Sequence, residues 1–304
     1  MRRRSLLLGG LAGAAGLTWL ARPTDEGADH APFFHQLSQA LHQARLSGPT
    51  LVVDRRLLRE NVATLKGHVQ GRFDYRIVAK SLPSLPLLQN VMEAYGSHRL
   101  MLFHQPFINQ VAAHFPHTDI LLGKPMPVTA AGNFYRQFEE GDFEPSSQLR
   151  WLLDTPARAS EYAQLAQDLN QRMLACIEID VGLHRGGVRN DAELIALLNV
   201  IQASPQLEFA GFMGYEPHVV KVPGDPVWYR DAAMSRYTHY IARAKDHLGD
   251  DWPADPVLNC GGSPTYQLYD RGDFPFNELA AGSCLVKPTD FDLPTLADHR
   301  PAAW

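Results

Sequence analysis

Cysteine is scarce in this sequence, which contains only Cys176, Cys260 and Cys284. The count is odd, and no CxxC or CxxH pair occurs. These facts argue against a disulfide framework and against a structural zinc site, both of which need closely spaced thiol or imidazole groups. We expect at least Cys176 and Cys260 to be small residues of the core.

A basic excess is also missing. Lysine and arginine number 28 and aspartate and glutamate 33, which gives a formal net charge of −5. Few cations are therefore left over to neutralise phosphates, so nucleic acid is not an expected partner. The 304 residues are 45% hydrophobic and 20% charged, values that exclude a disordered tail, a collagen or a coiled coil and predict one large or two small globular domains.

The apolar stretch near the start, residues 5–20, is shorter than the ~20 residues that a membrane-spanning helix needs. It follows three arginines, and residues 3–7 (RRSLL) resemble a twin-arginine export signal. We therefore predict a signal segment over residues 1–25, an N-terminal extension over residues 26–48 and a periplasmic location, with membrane contact only through the signal. The alternatives are an uncleaved signal that anchors the protein and a disordered basic N-terminus.

From residue 49 onward, short apolar or β-branched runs alternate with amphipathic stretches. Such alternation predicts an α/β fold with parallel strands, and eight units suit a (β/α)8 TIM barrel. A doubly wound open sheet is the alternative, although no GxGxxG sequence follows the first run. The predicted strands are residues 49–54, 74–80, 99–103, 119–123, 149–154, 175–180, 208–215 and 257–263, and helices are predicted over 57–69, 85–95, 157–170, 192–201 and 228–248.

Functional side chains of such barrels lie where the strands end. The predicted ends carry Asp54, Lys80, His104, Lys124, Asp154, Asp180, Tyr215, Glu216 and residues 261–263 (GGS). Lys80 is the most informative, because an amine at the barrel mouth is desolvated and its pKa is lowered. A neutral amine is what a Schiff base requires, whereas the alternative is a surface lysine at a strand end.

The second informative strand end is a glycine-rich loop. Gly261 and Gly262 let the backbone approach an anion, and the hydroxyls of Ser263 and Thr265 can bind phosphate oxygens. A plain tight turn is the alternative interpretation. A lysine and a phosphate loop in one barrel together fit pyridoxal phosphate, whose aldehyde and phosphate lie at two ends of one molecule.

Six segments carry a family resemblance: residues 50–62, 75–80 (YRIVAK), 177–188 (IEIDVGLHRGGV), 211–216 (GFMGYE), 261–265 (GGSPT) and 278–283 (ELAAGS). Through them, residues 49–286 resemble the fold-type III pyridoxal-phosphate enzymes, the alanine racemase N-terminal domain superfamily that includes D-threonine aldolase and D-serine dehydratase. The resemblance implies a Schiff-base lysine at Lys80, an arginine at Arg185 that approaches the cofactor's phenolic oxygen or the substrate, and a cofactor-lining Tyr215; these three are the predicted catalytic residues. It also implies a phosphate loop formed by Gly261, Gly262, Ser263 and Thr265.

The sequence departs from the family pattern towards its C-terminus. Cys284 stands where the family usually has an aromatic residue. We expect the barrel to span residues 49–275 and residues 276–304 to begin a truncated C-terminal β-domain, and the resemblance implies a homodimer when that domain is present. No His-x-Cys or His-x-Asp pair follows residue 286, so no metal ligand is assigned and the need for a divalent metal stays open.

The favoured hypothesis is a pyridoxal-phosphate-dependent lyase that acts on a D-amino acid, in the manner of D-threonine aldolase or D-serine dehydratase. Lys80 would then also serve as a general base at Cα. An amino-acid racemase is the first alternative. The others are a non-catalytic barrel that binds pyridoxal phosphate and a barrel aldolase that uses Lys80 without a cofactor.

Overall fold

The computed structural model describes residues 27–304, so the predicted signal segment lies outside the described residues. The chain forms two units, one ending at Thr50 and one running from Leu51 to Trp304. In the first unit, helix α1 (Pro32–Gln43) begins with a proline. An N–H at that position would have no acceptor within the helix, so the proline costs no hydrogen bond there. No helix within residues 27–304 is long and apolar enough to cross a membrane.

The second unit is a closed barrel of eight parallel strands in sequential order, with the last strand paired to the first. This architecture confirms the predicted α/β fold class, the (β/α)8 TIM barrel. The strands are β1 (Asp74–Val78), β2 (Arg99–Leu102), β3 (Asp119–Leu122), β4 (Leu149–Leu153), β5 (Met173–Glu178), β6 (Leu207–Met213), β7 (Val257–Cys260) and β8 (Glu278–Ala281). The helices of this unit are α2 (Arg55–Val69), α3 (Leu85–Tyr95), α4 (Gln105–His114), α5 (Val128–Gln137), α6 (Pro145–Gln148), α7 (Pro156–Leu169), α8 (Asp191–Gln202), α9 (His218–Lys221), α10 (Pro226–Leu248) and α11 (Ser283–Val286).

The first predicted strand, residues 49–54, is wrong. Val53 forms only an isolated antiparallel bridge with Ala303, next to the C-terminus. Asp54 is the N-cap of α2, where its carboxylate accepts the backbone N–H groups of Arg56 and Leu57 at 2.8 and 3.1 Å. The β-branched run therefore forms a bridge near the C-terminus, and Asp54 caps a helix. Neither belongs to the barrel sheet.

The eighth strand is β8, which lies in the segment predicted to begin a C-terminal β-domain. The predicted boundary at residues 275 and 276 therefore cuts the barrel before its last strand. Each of the four residues of β8 is buried, and the sequence ELAA contains no β-branched or aromatic residue, so it gave no strand signal. Residues after β8 form α11 and short 3-10 turns, and no further sheet follows within the described chain.

The barrel interior contains a buried ion-pair network near the amino ends of the strands. Arg76 of β1 is fully buried and donates to Glu278 of β8, with distances of 2.5 Å from Nε and 2.7 Å from Nη2. Its Nη2 also lies 2.6 Å from a carboxylate oxygen of Asp119, at the start of β3. The network connects β1, β3 and β8, so it joins the first strand of the barrel to the last.

Candidate active site

A cavity of about 220 Å³ opens at the carboxyl ends of the strands. Lys80 borders it on one side and the loop Gly261–Gly262–Ser263 on the other. Because residues 49–54 are not a barrel strand, every later strand has a number one lower than predicted. The glycine loop therefore follows β7 rather than the eighth strand, and the segment 211–216 lies at the end of β6. The lining of the cavity also includes Val78, Met101, Phe103, Gly123, Arg185, Met213, Gly214, Tyr215, Asn259, Pro264, Ala280, Ala281, Gly282, Ser283 and Phe291.

Lys80 lies in a 3-10 turn, Ala79–Ser81, directly after β1. The next residue, Ser81, has its hydroxyl 2.7 Å from that of Ser283, which fastens the turn to the end of β8. Although Lys80 as a residue is exposed, burial of its amine lowers its pKa, and the positive charge of Arg185 lowers it further. The position and the direction of this shift agree with the expectation for a lysine that reacts as a neutral amine.

The aromatic ring of Phe103 lies beside this amine, with its centroid 5.0 Å from the Lys80 Nζ. A Cβ atom at Gly123 would lie 2.2 Å from Cζ of the ring, so this glycine leaves the space that the ring occupies. Phe103 and Gly123 follow β2 and β3, and sequence reasoning did not single them out. The parallel pairing of β2 with β3 brings the two strand ends together.

Arg185 is held by a buried carboxylate. Its Nη2 lies 2.7 Å from Oε1 of Glu178, while the Nζ of Lys124 lies 3.2 Å from the other oxygen. The guanidinium carbon also lies 4.8 Å from the ring centroid of Tyr215. Gly187 follows with a φ of +90°, and a Cβ there would lie 2.8 Å from the Glu178 carbonyl oxygen, so the loop requires glycine.

Tyr215 connects the arginine to the glycine loop. Burial raises the pKa of its hydroxyl, the neighbouring Glu216 raises it too, and Arg185 opposes both effects. A Cβ at Gly262 would lie 2.7 Å from Cε2 of the Tyr215 ring, so the loop backbone approaches the ring closely. The structure thus brings together Lys80, Arg185, Tyr215, Gly261, Gly262 and Ser263 around one cavity.

Ser263 and Thr265 differ in their placement. The Ser263 hydroxyl oxygen accepts the N–H groups of Gly282 and Cys284 at 3.1 and 3.0 Å, which binds the loop to the end of β8. Thr265 is fully buried and does not belong to the cavity lining; its hydroxyl donates to Glu216 at 2.6 Å. A direct contact of Thr265 with a phosphate therefore stays a prediction without support from this arrangement.

Glu216 lies beneath the loop, fully buried, and was noted in the sequence only as a polar strand end. Besides Thr265, it accepts from the Cys260 thiol and the Gly261 N–H, both at 3.2 Å, and from the Tyr269 hydroxyl at 3.1 Å. Burial raises the pKa of this carboxyl, and the four donors oppose the increase. Glu216 thereby holds the backbone of the glycine loop in place.

Asn259 contributes an unpaired acceptor to the cavity lining. Its amide nitrogen donates to Glu278 at 2.7 Å, whereas its Oδ1 is buried and has no partner within the described part of the chain. A polar ring bound in the cavity would provide such a partner. An amine on one wall and an approachable glycine loop on the other, with an unpaired acceptor in a lining residue, fit the polar groups of pyridoxal phosphate.

Other polar strand ends have local roles. Asp154 pairs with Arg158 at 2.9 Å, and Asp180 accepts from the imidazole Nδ1 of His184 at 2.7 Å. His104 is exposed and makes no side-chain cap to α4. No cluster of three or more metal-ligating side chains occurs within residues 27–304. The three cysteines are all buried and unpaired in disulfides.

A sequence profile described as "Alanine racemase, N-terminal domain" matches residues 53–290. The chain therefore belongs to the alanine racemase N-terminal domain family, the barrel family of the fold-type III pyridoxal-phosphate enzymes. No curated protein sequence matches this chain.

Similar solved structures include both lyases and racemases. D-threonine aldolase from Filomicrobium marinum has a TM-score of 0.69 at 16% identity, with 85% of this chain and 68% of that chain covered. D-threo-3-hydroxyaspartate dehydratase from Delftia sp. HT23 has a TM-score of 0.65 at 19% identity, with 79% and 61% covered. An alanine racemase from Bacillus anthracis has a TM-score of 0.64 at 18% identity, with 84% and 64% covered. At these identities the similarity shows the fold alone, and the chain spans 61 to 64% of the length of the dehydratase structures.

Proposed function

We propose that this protein is a pyridoxal-phosphate-dependent lyase that acts on D-amino acids, as an aldolase or a dehydratase. The observation that carries the proposal is the placement of Lys80 and the loop Gly261–Gly262–Ser263 on two walls of one cavity. An amine with a lowered pKa suits the cofactor's aldehyde, and the loop suits its phosphate.

Each residue around the cavity has a distinct task. Lys80 would hold the cofactor through its Nζ and would serve as the group that accepts or returns a proton at the substrate Cα. The loop binds the phosphate, and Arg185 approaches the phenolic oxygen or the substrate while Glu178 keeps it in position. When bound, pyridoxal phosphate supplies an electron sink that weakens the bonds at Cα of an attached amino acid.

The lyase branch rests on two kinds of support. Residues 181–186 and 214–216 resemble the aldolase and dehydratase branch most closely, and the similar structures include an aldolase and a dehydratase. A racemase is the second candidate, because the matching family profile is that of alanine racemase. No metal is assigned in either case.

Cofactor attachment tests the central claim. The purified full chain should develop a visible absorption band with pyridoxal phosphate, and borohydride should fix the cofactor to the peptide that contains Lys80. Lys80→Ala should lose the band and the label, whereas Lys245→Ala, which removes a helix lysine outside the cavity, should keep both. Labelling of another lysine, or a band retained by Lys80→Ala, would contradict the proposal.

Product analysis of the loaded protein separates the branches. An aldolase converts D-threonine to glycine and acetaldehyde, a dehydratase converts D-serine to pyruvate and ammonia, and a racemase converts D-alanine to L-alanine. A cofactor band without any of these products indicates a non-catalytic binding barrel. Product formed without a band indicates a lysine aldolase that uses no cofactor.

Export through the twin-arginine pathway is part of the same proposal, and it is supported by residues 3–7 (RRSLL) and the apolar stretch that follows. Such a route carries folded proteins, which suits a barrel that acquires its cofactor before export. Replacing Arg3 and Arg4 by lysine should stop periplasmic accumulation while leaving cytoplasmic synthesis unchanged. Unaltered export of this double variant would contradict the proposed route.

A further inference from the structure

Asn259 of β7 lines the same cavity as Lys80 and has one unsatisfied atom. The residue is 1% exposed, and its Oδ1 is buried with no hydrogen-bond partner among the described residues. Its amide nitrogen is occupied, because it donates to Glu278 at 2.7 Å. Its backbone carbonyl is occupied too, because it accepts from Gly214 and Tyr237 at 2.9 and 3.1 Å. A buried acceptor such as Oδ1 costs free energy unless a ligand or a water satisfies it.

The orientation of the Asn259 amide is fixed by the buried ion pair next to it. Arg76 donates to both oxygens of Glu278, at 2.5 and 2.7 Å, so this paired carboxylate can only accept further hydrogen bonds. The amide of Asn259 must therefore present its nitrogen to Glu278, since a flipped amide would place two acceptors against each other. Oδ1 is an acceptor and carries no proton, so any group that satisfies it has to be a donor.

The polar groups of pyridoxal phosphate differ in whether they can donate. In the proposed function the aldehyde is bound to Lys80, while the phosphate at the glycine loop and the phenolic oxygen near Arg185 accept hydrogen bonds. The ring nitrogen is the remaining polar atom, and it becomes a donor when it carries a proton. Among the groups of the cofactor, the protonated ring nitrogen is therefore the one that complements an unpaired acceptor.

We infer that Oδ1 of Asn259 accepts a hydrogen bond from the ring nitrogen of pyridoxal phosphate and thereby keeps that nitrogen protonated. The inference rests on the proposed function and assigns a further cofactor-binding residue to it. No Asp or Glu belongs to the described lining of the cavity, so no carboxylate there competes for this proton. Glu278 is a positioning residue, because it orients the amide through Nδ2. A protonated ring attracts electrons more strongly than a neutral one, so Asn259 strengthens the electron sink that the cofactor supplies.

The test compares two ligands on the full chain: pyridoxal phosphate and the analogue in which a C–H group replaces the ring nitrogen. The ratio of their dissociation constants, from isothermal titration calorimetry, measures the contribution of that nitrogen. Asn259→Leu removes the acceptor, and the preference for pyridoxal phosphate should fall by about tenfold or more, as expected for a hydrogen bond with a charged donor. Loss of the contact with Glu278 is a structural effect that weakens both ligands alike and leaves the ratio unchanged.

Met213→Leu is the matched control. Met213 is the register partner of Asn259 in the neighbouring strand β6 and lines the same cavity, but its thioether is only a weak acceptor. Leucine replaces methionine at similar volume, so this variant should keep the wild-type ratio of the two dissociation constants.

A second measurement needs no variant. Nuclear magnetic resonance of cofactor that is isotope-labelled at the ring nitrogen reports directly whether this atom carries a proton. We expect a protonated nitrogen in the loaded wild-type chain at neutral pH, and a nitrogen that loses its proton at lower pH in Asn259→Leu.

An unprotonated ring nitrogen in the loaded wild-type chain would overturn the inference, even if Asn259→Leu does not fold. A ligand ratio that Asn259→Leu leaves unchanged would overturn it as well, and the buried oxygen would then be satisfied by water. In both cases the visible band of the Lys80 adduct persists. A wild-type chain that forms no such band would instead overturn the proposed function and this inference with it.

Discussion

The Lys80 amine and the Arg185 guanidinium line one cavity, and the charge of the arginine adds to burial in lowering the pKa of the lysine. Arg185 comes from the loop after β5 and is held there by Glu178, the buried last residue of that strand. The reactivity of the first strand's lysine therefore depends on a carboxylate four strands away.

The first prediction removes this charge. Arg185→Met should raise the pKa of Lys80, so a smaller fraction of the amine is neutral at any pH below that pKa. The pH midpoint for the rate of cofactor attachment should move upward, as followed by stopped-flow absorbance. Arg59→Met, which removes an exposed cation from α2, should leave the midpoint in place. A midpoint that stays the same or falls in Arg185→Met would refute the coupling.

The second prediction concerns the close approach of Gly262 to Tyr215. A Cβ at residue 262 would lie 2.7 Å from the ring, so Gly262→Val should displace the ring and keep a phosphate from the backbone. We expect at least tenfold weaker binding of pyridoxal phosphate, or about 1.4 kcal/mol, in a spectroscopic titration. Gly67→Val is the matched control, because an added Cβ at this position of α2 meets no described atom within 4 Å beyond its chain neighbours and its own helix backbone. Equal affinities for the two variants would remove the loop from the site.

The third prediction concerns the ion pair that connects β1 to β8. Glu278→Gln leaves the fully buried Arg76 with less than its full counter-charge, and breaking such a pair lowers the free energy of unfolding by about 3–5 kcal/mol. Urea denaturation measures this loss. Glu208→Gln breaks a pair with Arg172 whose side chains are 51% and 52% exposed, and its effect should stay within about 1 kcal/mol. Similar losses in both variants would contradict the role given to the buried pair.

The fourth prediction follows from His299, which is 2% exposed and has its Nε2 2.6 Å from the Tyr266 hydroxyl. Burial lowers the pKa of His299 to about 4, and the nearby Asp298 only partly opposes this. The unfolded chain, with an ordinary histidine pKa near 6.5, then binds more protons than the folded chain between these values. The stabilising contribution is complete above about pH 6.5 and is lost as the pH falls towards 4.

His299→Gln should therefore flatten the decline of the free energy of unfolding between pH 7 and pH 5, measured by urea denaturation at each pH. His114→Gln, which replaces an exposed histidine, should retain the wild-type decline. An unchanged slope in His299→Gln would assign the pH dependence to other groups.

Seven of the eight barrel strands could be predicted from the sequence, because each is a short apolar run between amphipathic segments. The prediction counted residues 49–54 as a barrel strand and missed β8, and this error has a physical reason. A β-branched run predicts an extended chain but not its partner, and residues 49–54 lie next to the chain's end rather than in the barrel. The segment ELAA has no β-branched residue and forms a strand because it pairs with β7 on one side and β1 on the other.

By itself the sequence determined the class of the barrel and two ends of the candidate site, Lys80 and the glycine loop, because strand ends and glycine runs are local patterns. Tertiary structure alone decided what surrounds them. Phe103 reaches the amine because β1 pairs with β2, and Glu216 supports the loop because β6 pairs with β7. Contacts of this kind depend on which strands become neighbours, and no periodicity along a single strand encodes that.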